Sequence, residues 1–458
     1  MLFQRSTSKA ARAHWLALAV CLASCSRTGL GDALQGASLP GADSGDETDA
    51  SADGSVADAA LDDARGTRDA QTDGSDSDAG FGPPPDPSSA SSFLINPAHT
   101  GAVLSPTLRP PLQQIWSVPL GPSGNIEHIS YPLIVHGVVY VLVLTTTDTF
   151  NLLALDAHTG ATIWGPVDTS GSFGLAYDGG RIFVVNSRAL LQAFDASTGA
   201  HVWSATLPHP YPSFSAAPTA YRGIVYVGGG GDLGGYLYAS DEADGTLLWQ
   251  QPVDYGDDSA PTVGDDGVFV AYSCLQAYAF DRITGAPRWH HSTDCGGGGG
   301  ETTVLFNGLI YAADVTGNQE LDVATGASRG SFNAGVQPAF DGQMGFFVNR
   351  GVSAVDLATG AVAWTFPGDS TFDTPAVVAG NTVYVGAVGG MLYALDEPTG
   401  QLLWSTNAGG TVPFADGPYP LFDAMAAGEG ILVTPAGGSL VAYAPAGPID
   451  IDASADGP

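Results

Sequence analysis

One short phrase recurs along this chain and constrains the fold more than any other feature. In each copy a strand-like apolar stretch leads to an Asp, a Gly follows four positions later, and a Trp stands eight positions after the Asp. Copies lie about 40 residues apart, a period typical of folds assembled by repetition. The seven copies are Leu152–Trp164, Leu191–Trp203, Leu237–Trp249, Ala277–Trp289, Glu320–Gly330 (where Trp is lost), Val352–Trp364 and Leu392–Trp404.

Each copy predicts a β-hairpin. The Asp carboxylate is expected to accept the N–H groups of the following Thr and Gly, while the Gly adopts the positive φ that the turn needs. A second strand and a short Pro-marked strand, such as Ala260–Gly264, lie upstream of most copies, so each unit has four antiparallel strands, the size of one propeller blade. The residues assigned this structural role are Asp156, Gly160, Trp164, Asp195, Gly199, Trp203, Asp241, Gly245, Trp249, Asp281, Gly285, Trp289, Asp356, Gly360, Trp364, Asp396, Gly400 and Trp404.

The blade count follows from the two ends of the repeat region. Trp116 has no Asp-led turn before it, while Ser439–Pro445 is a strand with no turn or Trp after it. Each fragment supplies what the other lacks, and pairing them leaves no free sheet edge. The sequence therefore predicts an all-β fold, an eight-bladed β-propeller of four-stranded antiparallel blades whose ring is closed by an N-terminal outer strand.

These features resemble the PQQ-like repeat family of eight-bladed propellers, the quinoprotein-type fold, whose blades carry the signature A-x-D-x-x-T-G-x-x-x-W. The match runs from about Gln113 to Ala446, with Gly330 in place of Trp in the fifth copy and Asp244 in place of Thr in the third. The organisation is similar to that of the propeller lipoproteins of the outer-membrane β-barrel assembly machinery. That resemblance implies a non-enzymatic, membrane-anchored scaffold or binding module that meets envelope protein partners.

The N-terminal region predicts export and a lipid anchor. Basic residues precede the apolar run Trp15–Ala23, as in signal peptides, and Leu22-Ala23-Ser24-Cys25 matches a lipobox that marks Cys25 for lipidation. Beyond it, a segment of Asp, Ala, Gly and Ser with almost no aromatic residues cannot bury enough apolar surface to fold. The predicted parts are a lipoprotein signal peptide (1–24), a lipidated, acidic disordered linker (25–92), the propeller (93–446) and a disordered C-terminal tail (447–458).

Charge narrows the class of partner. The net charge is −33 with only 14 Lys and Arg residues, which argues against nucleic acid because phosphate binding needs clustered cations. We expect an exported monomer in the cell envelope, at the outer membrane on its periplasmic or surface side.

The same repeat family also includes enzymes, so the resemblance raises the question of enzymatic activity. In quinoprotein dehydrogenases of this family, pyrroloquinoline quinone stacks on a Trp under a disulfide between adjacent Cys residues, with calcium held by acidic and amide side chains. This chain has no Cys-Cys pair, and every Trp after the leader already serves a blade. No cofactor or metal and no catalytic residue are expected. The alternatives are a quinone- or calcium-dependent oxidoreductase and a surface sugar- or peptide-binding module.

Aligning the first strands of the blades places one residue of each at the same level of the central channel. The set is Ser130, Ser172, Ala216, Ser259, Glu301, Val336, Asp373 and Leu421. Together with Asp257, the carboxylates of Glu301 and Asp373 are candidate cation ligands at the funnel mouth, since oxygen ligands suit calcium. The alternative interpretation is solvated carboxylates at a polar channel mouth.

Two cysteines remain after processing. Cys274 follows the second strand of the fourth blade and Cys295 follows its fourth strand, so both emerge on the same face of the ring. Export favours a disulfide. Two free thiols are the alternative, because loop geometry must bring two strands about 9–10 Å apart to a Cα distance of about 5.5 Å.

Overall fold

The computed structural model describes residues 82–120, 129–144, 150–209, 212–230, 234–254, 256, 258–293, 300–314, 317–412 and 424–447. The chain divides into two units, Met1–Gly74 and Ser75–Pro458, and the first lies outside the described residues. Cys25 and residues 448–458 of the predicted tail therefore also lie outside the described residues. Within the described residues every regular element is a strand, which confirms the all-β class.

Eight sheets form the predicted eight blades, and the four blade strands of each are antiparallel neighbours. Blades 1 to 7 take these strands consecutively from the chain, whereas blade 8 takes its outer strand from the N-terminal side. Two strands precede them in the chain, β1 (Ala102–Val103) and β2 (Leu112–Pro119). Blade 1 contains β3 (Leu133–Val135), β4 (Val138–Leu144), β5 (Phe150–Asp156) and β6 (Thr162–Asp168). Blade 2 contains β7 (Ser172–Asp178), β8 (Arg181–Asn186), β9 (Leu190–Asp195) and β10 (His201–Thr206). Blade 3 contains β11 (Thr219–Tyr221), β12 (Ile224–Gly229), β13 (Gly235–Asp241) and β14 (Leu247–Val253).

The second half of the ring repeats this plan. Blade 4 contains β15 (Thr262–Gly264), β16 (Gly267–Tyr272), β17 (Gln276–Phe280) and β18 (Pro287–His291). Blade 5 contains β19 (Val304–Phe306), β20 (Leu309–Ala312), β21 (Gln319–Asp322) and β22 (Ser328–Ser331). Blade 6 contains β23 (Ala339–Asp341), β24 (Met344–Val348), β25 (Val352–Asp356) and β26 (Ala361–Phe366). Blade 7 contains β27 (Val377–Ala379), β28 (Thr382–Gly386), β29 (Met391–Asp396) and β30 (Leu402–Asn407), and blade 8 contains β31 (Ala426–Gly428), β32 (Ile431–Ala436) and β33 (Ser439–Pro445).

Ring closure follows the predicted split. Strand β2 pairs antiparallel with β33 from Leu112 opposite Pro445 to Pro119 opposite Ser439, so it is the outer strand of blade 8. The four-stranded rule has one exception, because β1 adds to blade 7 as a fifth strand, parallel to β27.

The hairpin turns differ in one detail from the expectation. In blade 1 the Asp156 carboxylate accepts the N–H and the hydroxyl of Thr159, both at 2.8 Å. The Gly160 N–H instead donates to the backbone carbonyl of Asp156, also at 2.8 Å. The carboxylate therefore caps the turn from the side, and the Gly, at φ +70°, closes it through the main chain.

The Trp residues connect neighbouring blades. Trp164 donates its Nε1–H to the carbonyl of Ala196 in the next blade at 3.0 Å, and a methyl group on Gly199 would come within 2.5 Å of its ring. The glycine is required for two reasons, the positive φ and the indole lying against it. The same indole-to-carbonyl bond joins Trp116 to Ala157, Trp203 to Glu242, Trp249 to Arg282, Trp289 to Val323 and Trp364 to Glu397.

The described structure includes the last residues of the predicted disordered linker, 82–92. Ser89, Ala90, Ser91 and Ser92 are buried, and Ala90 exchanges two backbone hydrogen bonds with Ile134 of blade 1. Composition does not reveal this packing, because these small residues are held by hydrogen bonds of their main chain.

Successive truncations test the closure. A chain starting at residue 82 should melt close to the full chain, because the described contacts are retained. A chain starting at 121 should melt at a much lower temperature than one starting at 112. Only the chain starting at 121 loses β2, the hydrogen bond from Trp116 to blade 1 and the strand that pairs with the edge of β33. Thermal unfolding followed by circular dichroism makes the comparison, and equal melting temperatures for the 112 and 121 variants would rule out closure by β2.

Candidate functional site: the central channel

A single-copy segment, Ser88–Val103, runs around the inside of the ring; we call it the channel loop. Its carbonyls accept N–H groups from the inner part of seven blades, in ring order. The donors are Glu429 to Ser88 (blade 8), Ile134 to Ala90 (blade 1), Tyr177 to Ser91 (blade 2), Val263 to Pro97 (blade 4), Leu305 to Ala98 (blade 5), Phe340 to Thr100 (blade 6) and Val378 to Gly101 (blade 7). The edges that the inner strands present to the channel are thus paired with the chain's own backbone.

The loop is closed on itself and fixed to the seam of the ring. Leu104 N–H donates to the Pro87 carbonyl at 2.8 Å, which joins the two ends of the loop. The Glu429 carboxylate of blade 8 accepts the N–H groups of His136 and Gly137 in blade 1, at 2.5 and 2.6 Å, and the Ser89 hydroxyl at 3.1 Å. One side chain therefore holds both flanking blades and the loop.

The loop backbone adopts conformations that only tight packing sustains. Leu94, Ile95 and His99 have positive φ values of 51°, 82° and 59°, and a β-branched residue such as Ile95 is rarely found there. At Gly101, also at positive φ, an added methyl group would come within 2.9 Å of the Ala376 carbonyl oxygen. The loop is therefore a specific structure rather than a passing linker.

His99 lies at the centre of this packing. It is fully buried, with Nδ1 3.1 Å from Thr262 Oγ1 and 3.3 Å from the Thr303 carbonyl. Burial lowers the pKa of His99 to about 3, so the imidazole is neutral and a weak base. Within the described residues the Nε2 atom of His99 has no hydrogen-bond partner, and neither do the Ser91 and Ser92 hydroxyls of the channel loop. The arrangement suits a structural role in the channel.

The residues predicted at one channel level have different surroundings. Ser130, Ser172, Ala216, Ser259 and Val336 are buried, and Glu301 and Asp373 are partly buried. The serines bond to backbone groups, as Ser259 Oγ does to the Glu301 carbonyl at 3.2 Å. Asp257 and Leu421 lie outside the described residues, and the part of the chain that is described holds no group of three His, Cys, Asp or Glu residues able to bind a metal. The cation site at Asp257, Glu301 and Asp373 stays a prediction.

Cys274 is fully buried and disulfide-bonded. Cys295 lies outside the described residues, so the pairing of these two cysteines stays a prediction.

Two cavities flank the segment that leads into the loop. One, of about 320 Å³, lies between the loop and blades 3, 4 and 6 and is lined by Asn96, Tyr221 and Asp341 among others. The other, of about 330 Å³, lies between Pro83–Asp86 and blades 1 and 2 and includes Tyr177.

A buried pair of carboxyl groups, missed by sequence reasoning, joins blades 2 and 3. Glu242 is 6% exposed, and its backbone carbonyl accepts hydrogen bonds from Trp203 and Arg181 of blade 2. Burial and the neighbouring Asp178 carboxyl raise the pKa of Glu242 to about 9. The Glu242 side chain is therefore neutral in the folded protein near pH 7.

The fold and its split blade define a PQQ-type eight-bladed propeller. The family profile described as outer membrane protein assembly factor BamB matches residues 148–366 and 307–447. Because these spans cover more than half of the 458 residues, the chain belongs to this family.

Individual relatives point to two kinds of protein. BamB of Yersinia pestis is 29% identical over 248 residues, 52% of this chain and 57% of the relative. The chain spans about half the length of the curated relatives it matches. Among solved structures, BamB from Moraxella catarrhalis has a TM-score of 0.54 at 18% identity, covering 73% of this chain and 99% of that chain. Quinohemoprotein alcohol dehydrogenase from Comamonas testosteroni has a TM-score of 0.60 at 15% identity, covering 79% and 81%; both likenesses show the fold alone.

None of the described residues forms a helix long and apolar enough to span a membrane.

The Glu242 carboxyl predicts a pH dependence of stability. Its folded pKa of about 9 lies above its ordinary value of 4.5, so it stabilises the fold fully below 4.5 and loses that contribution as the pH rises through 9. Glu242→Gln keeps a neutral side chain at every pH. The variant should therefore melt like the wild type at pH 5 and several degrees above it at pH 9, in scanning calorimetry. The exposed carboxylate variant Asp266→Asn is the control, and parallel profiles for Glu242→Gln and wild type would contradict a neutral carboxyl.

Proposed function

We propose that the protein is a non-enzymatic, lipid-anchored propeller that acts as a binding scaffold for proteins of the bacterial cell envelope. The observation that carries the proposal is the channel loop. It occupies the inner end of the ring with main chain and leaves the blade rims and turn faces as the surfaces available to partners.

Family membership supports the same role. The matching profile and the relative from Yersinia pestis are named for outer-membrane protein assembly. The predicted signal peptide and Cys25 anchor would place the propeller in the same compartment, with residues 26–81 as a tether.

The indoles of the described chain support binding over quinone chemistry. Six of them donate a hydrogen bond to the neighbouring blade, and the seventh, Trp404, packs edge-on against Tyr443 at 5.6 Å. All seven therefore serve blade contacts, and a quinone bound here would have to stack on a different surface.

Cross-linking of the protein to its partner tests the proposal, and the scarcity of Lys determines which cross-linking reagent can be used. Lys9 is the only Lys and lies in the predicted signal peptide, so amine-directed reagents would miss the mature chain. A photo-reactive residue is better placed at exposed outer-strand positions such as Val202 or Leu403, which are 43% and 45% exposed. After irradiation of intact cells, the tagged full chain should be cross-linked to a defined envelope protein at these positions.

The control carries residues 1–81 fused to an unrelated folded protein, with the same photo-reactive residue on its surface. Equal cross-linking of this control would reject a partner specific to the propeller. Quinone-dependent alcohol oxidation by the protein loaded with pyrroloquinoline quinone and calcium, abolished by Glu301→Ala or Asp373→Ala, would replace the scaffold with an oxidoreductase.

A further inference from the structure

One of the eight blade interfaces lacks the indole that locks the others. Between blades 5 and 6, Gly330 stands where the Trp would be, and a methyl group placed on the facing turn glycine, Gly360, would meet nothing within 4 Å. At the six interfaces with the full pattern, a methyl group added to the corresponding glycine would come within 2.5–2.9 Å of a Trp ring. We call the space bounded by Gly330, Glu320 and Gly360 the interface notch.

The loss of the indole is coupled to a second change across the strand pair. In the seven other blades the residue opposite the Trp is Ala, as in Ala154 opposite Trp164. In blade 5 it is Glu320, opposite Gly330. A methyl group on Gly330 would lie 2.7 Å from Glu320 Oε2, so the carboxylate sits where an indole would begin. A neutral aromatic contact has been replaced by an acidic one.

Two acceptors in the notch are unused by the described chain. The Glu320 carboxylate makes no hydrogen bond or ion pair there, although burial raises the pKa of Glu320. The Leu357 carbonyl occupies the position that accepts an indole N–H at the six other interfaces, and it accepts no hydrogen bond from any described residue. Arg329, the residue before Gly330, pairs with Asp322 of its own turn, with Nη2 2.8 Å from Oδ2.

The rim of the notch is open. Val362, on the outer strand of blade 6, is 59% exposed, against 36–49% for the other large apolar side chains exposed on outer strands. The notch therefore combines an apolar rim, a flat glycine floor and two acceptors at its base.

We propose that the interface notch binds an arginine side chain presented by a partner protein. A guanidinium is planar, as the missing indole is, and can lie over the Gly360 peptide. Its N–H edge can donate to both the Glu320 carboxylate and the Leu357 carbonyl, whereas an ammonium has no flat face and an indole has one donor and no charge to match the carboxylate. The net charge of −33 also favours an approaching cationic segment.

This inference rests on the proposed scaffold role for the source of the arginine, but the affinity of the notch is measurable without the partner. The blocked tripeptide acetyl-Gly-Arg-Gly-amide is titrated into the isotope-labelled full chain, with the Lys and Trp tripeptides as competing chemistries. Saturable shifts at the amides of Leu357–Val362 are expected with the Arg peptide, and binding of the Lys and Trp peptides should be weaker by about fivefold or more.

Two variants separate binding from folding. Glu320→Gln should weaken binding of the Arg peptide by about tenfold, while the melting temperature stays the same or rises. Glu320→Ala combined with Gly330→Trp restores the pattern of the other blades, and it should abolish binding and raise the melting temperature. Asp266→Asn, on blade 4, should bind as the wild type does.

The proposal is overturned if the filled double variant binds as the wild type does, if Glu320→Gln has no effect, or if the Trp peptide binds more tightly than the Arg peptide. Failure in these arms leaves the envelope scaffold intact, since partner capture on other blades does not use the notch.

Discussion

The structure depends on the pairing of β2 with β33. A propeller built from tandem hairpins ends with an unpaired outer edge on its last blade, and here the N-terminal strand covers it over the register Leu112–Pro445 to Pro119–Ser439. The same pairing brings Trp116 against Gly160 of blade 1, so hydrogen bonding and indole packing close the ring at one seam. The described segment just upstream of β2 lies on the inner side of the ring, where β1 pairs with β27 of blade 7.

That placement explains the channel loop. Inner strands of a propeller expose N–H groups to the channel, and the segment entering the ring is at hand to pair with them. Seven blades donate to the loop in ring order, and Glu429 ties the loop to the seam. The segment that closes the outer edge is thus preceded by one that pairs with the inner edges.

Much of this architecture can be predicted from sequence, because the Asp, Gly and Trp of each copy have the same structural roles in every blade. The blade count, the turn glycines and the split blade were predictable on that basis. The channel loop could not be predicted, because it occurs once in the chain and shows no repeat. Its hydrogen bonds are made by backbone carbonyls, which leave no side-chain pattern in the sequence. The buried carboxyl of Glu242 depends on Asp178 and Arg181 of another blade, and the exchange of Ala and Trp for Glu320 and Gly330 becomes visible only when strand register is known. The sequence also placed Glu301 and Asp373 at one level of the channel, and their cation site with Asp257 stays a prediction.

The central claim is that the chain's own backbone pairs with the inner strands of the ring, and amide hydrogen exchange tests it most directly. The amides of Val263, Leu305, Phe340 and Val378 donate to the loop and should exchange as slowly as those of the middle strands. In a chain starting at residue 112 the same four amides should exchange rapidly while the middle strands stay protected. Rapid exchange of these amides in the full chain would contradict the pairing of the channel loop with the inner strands.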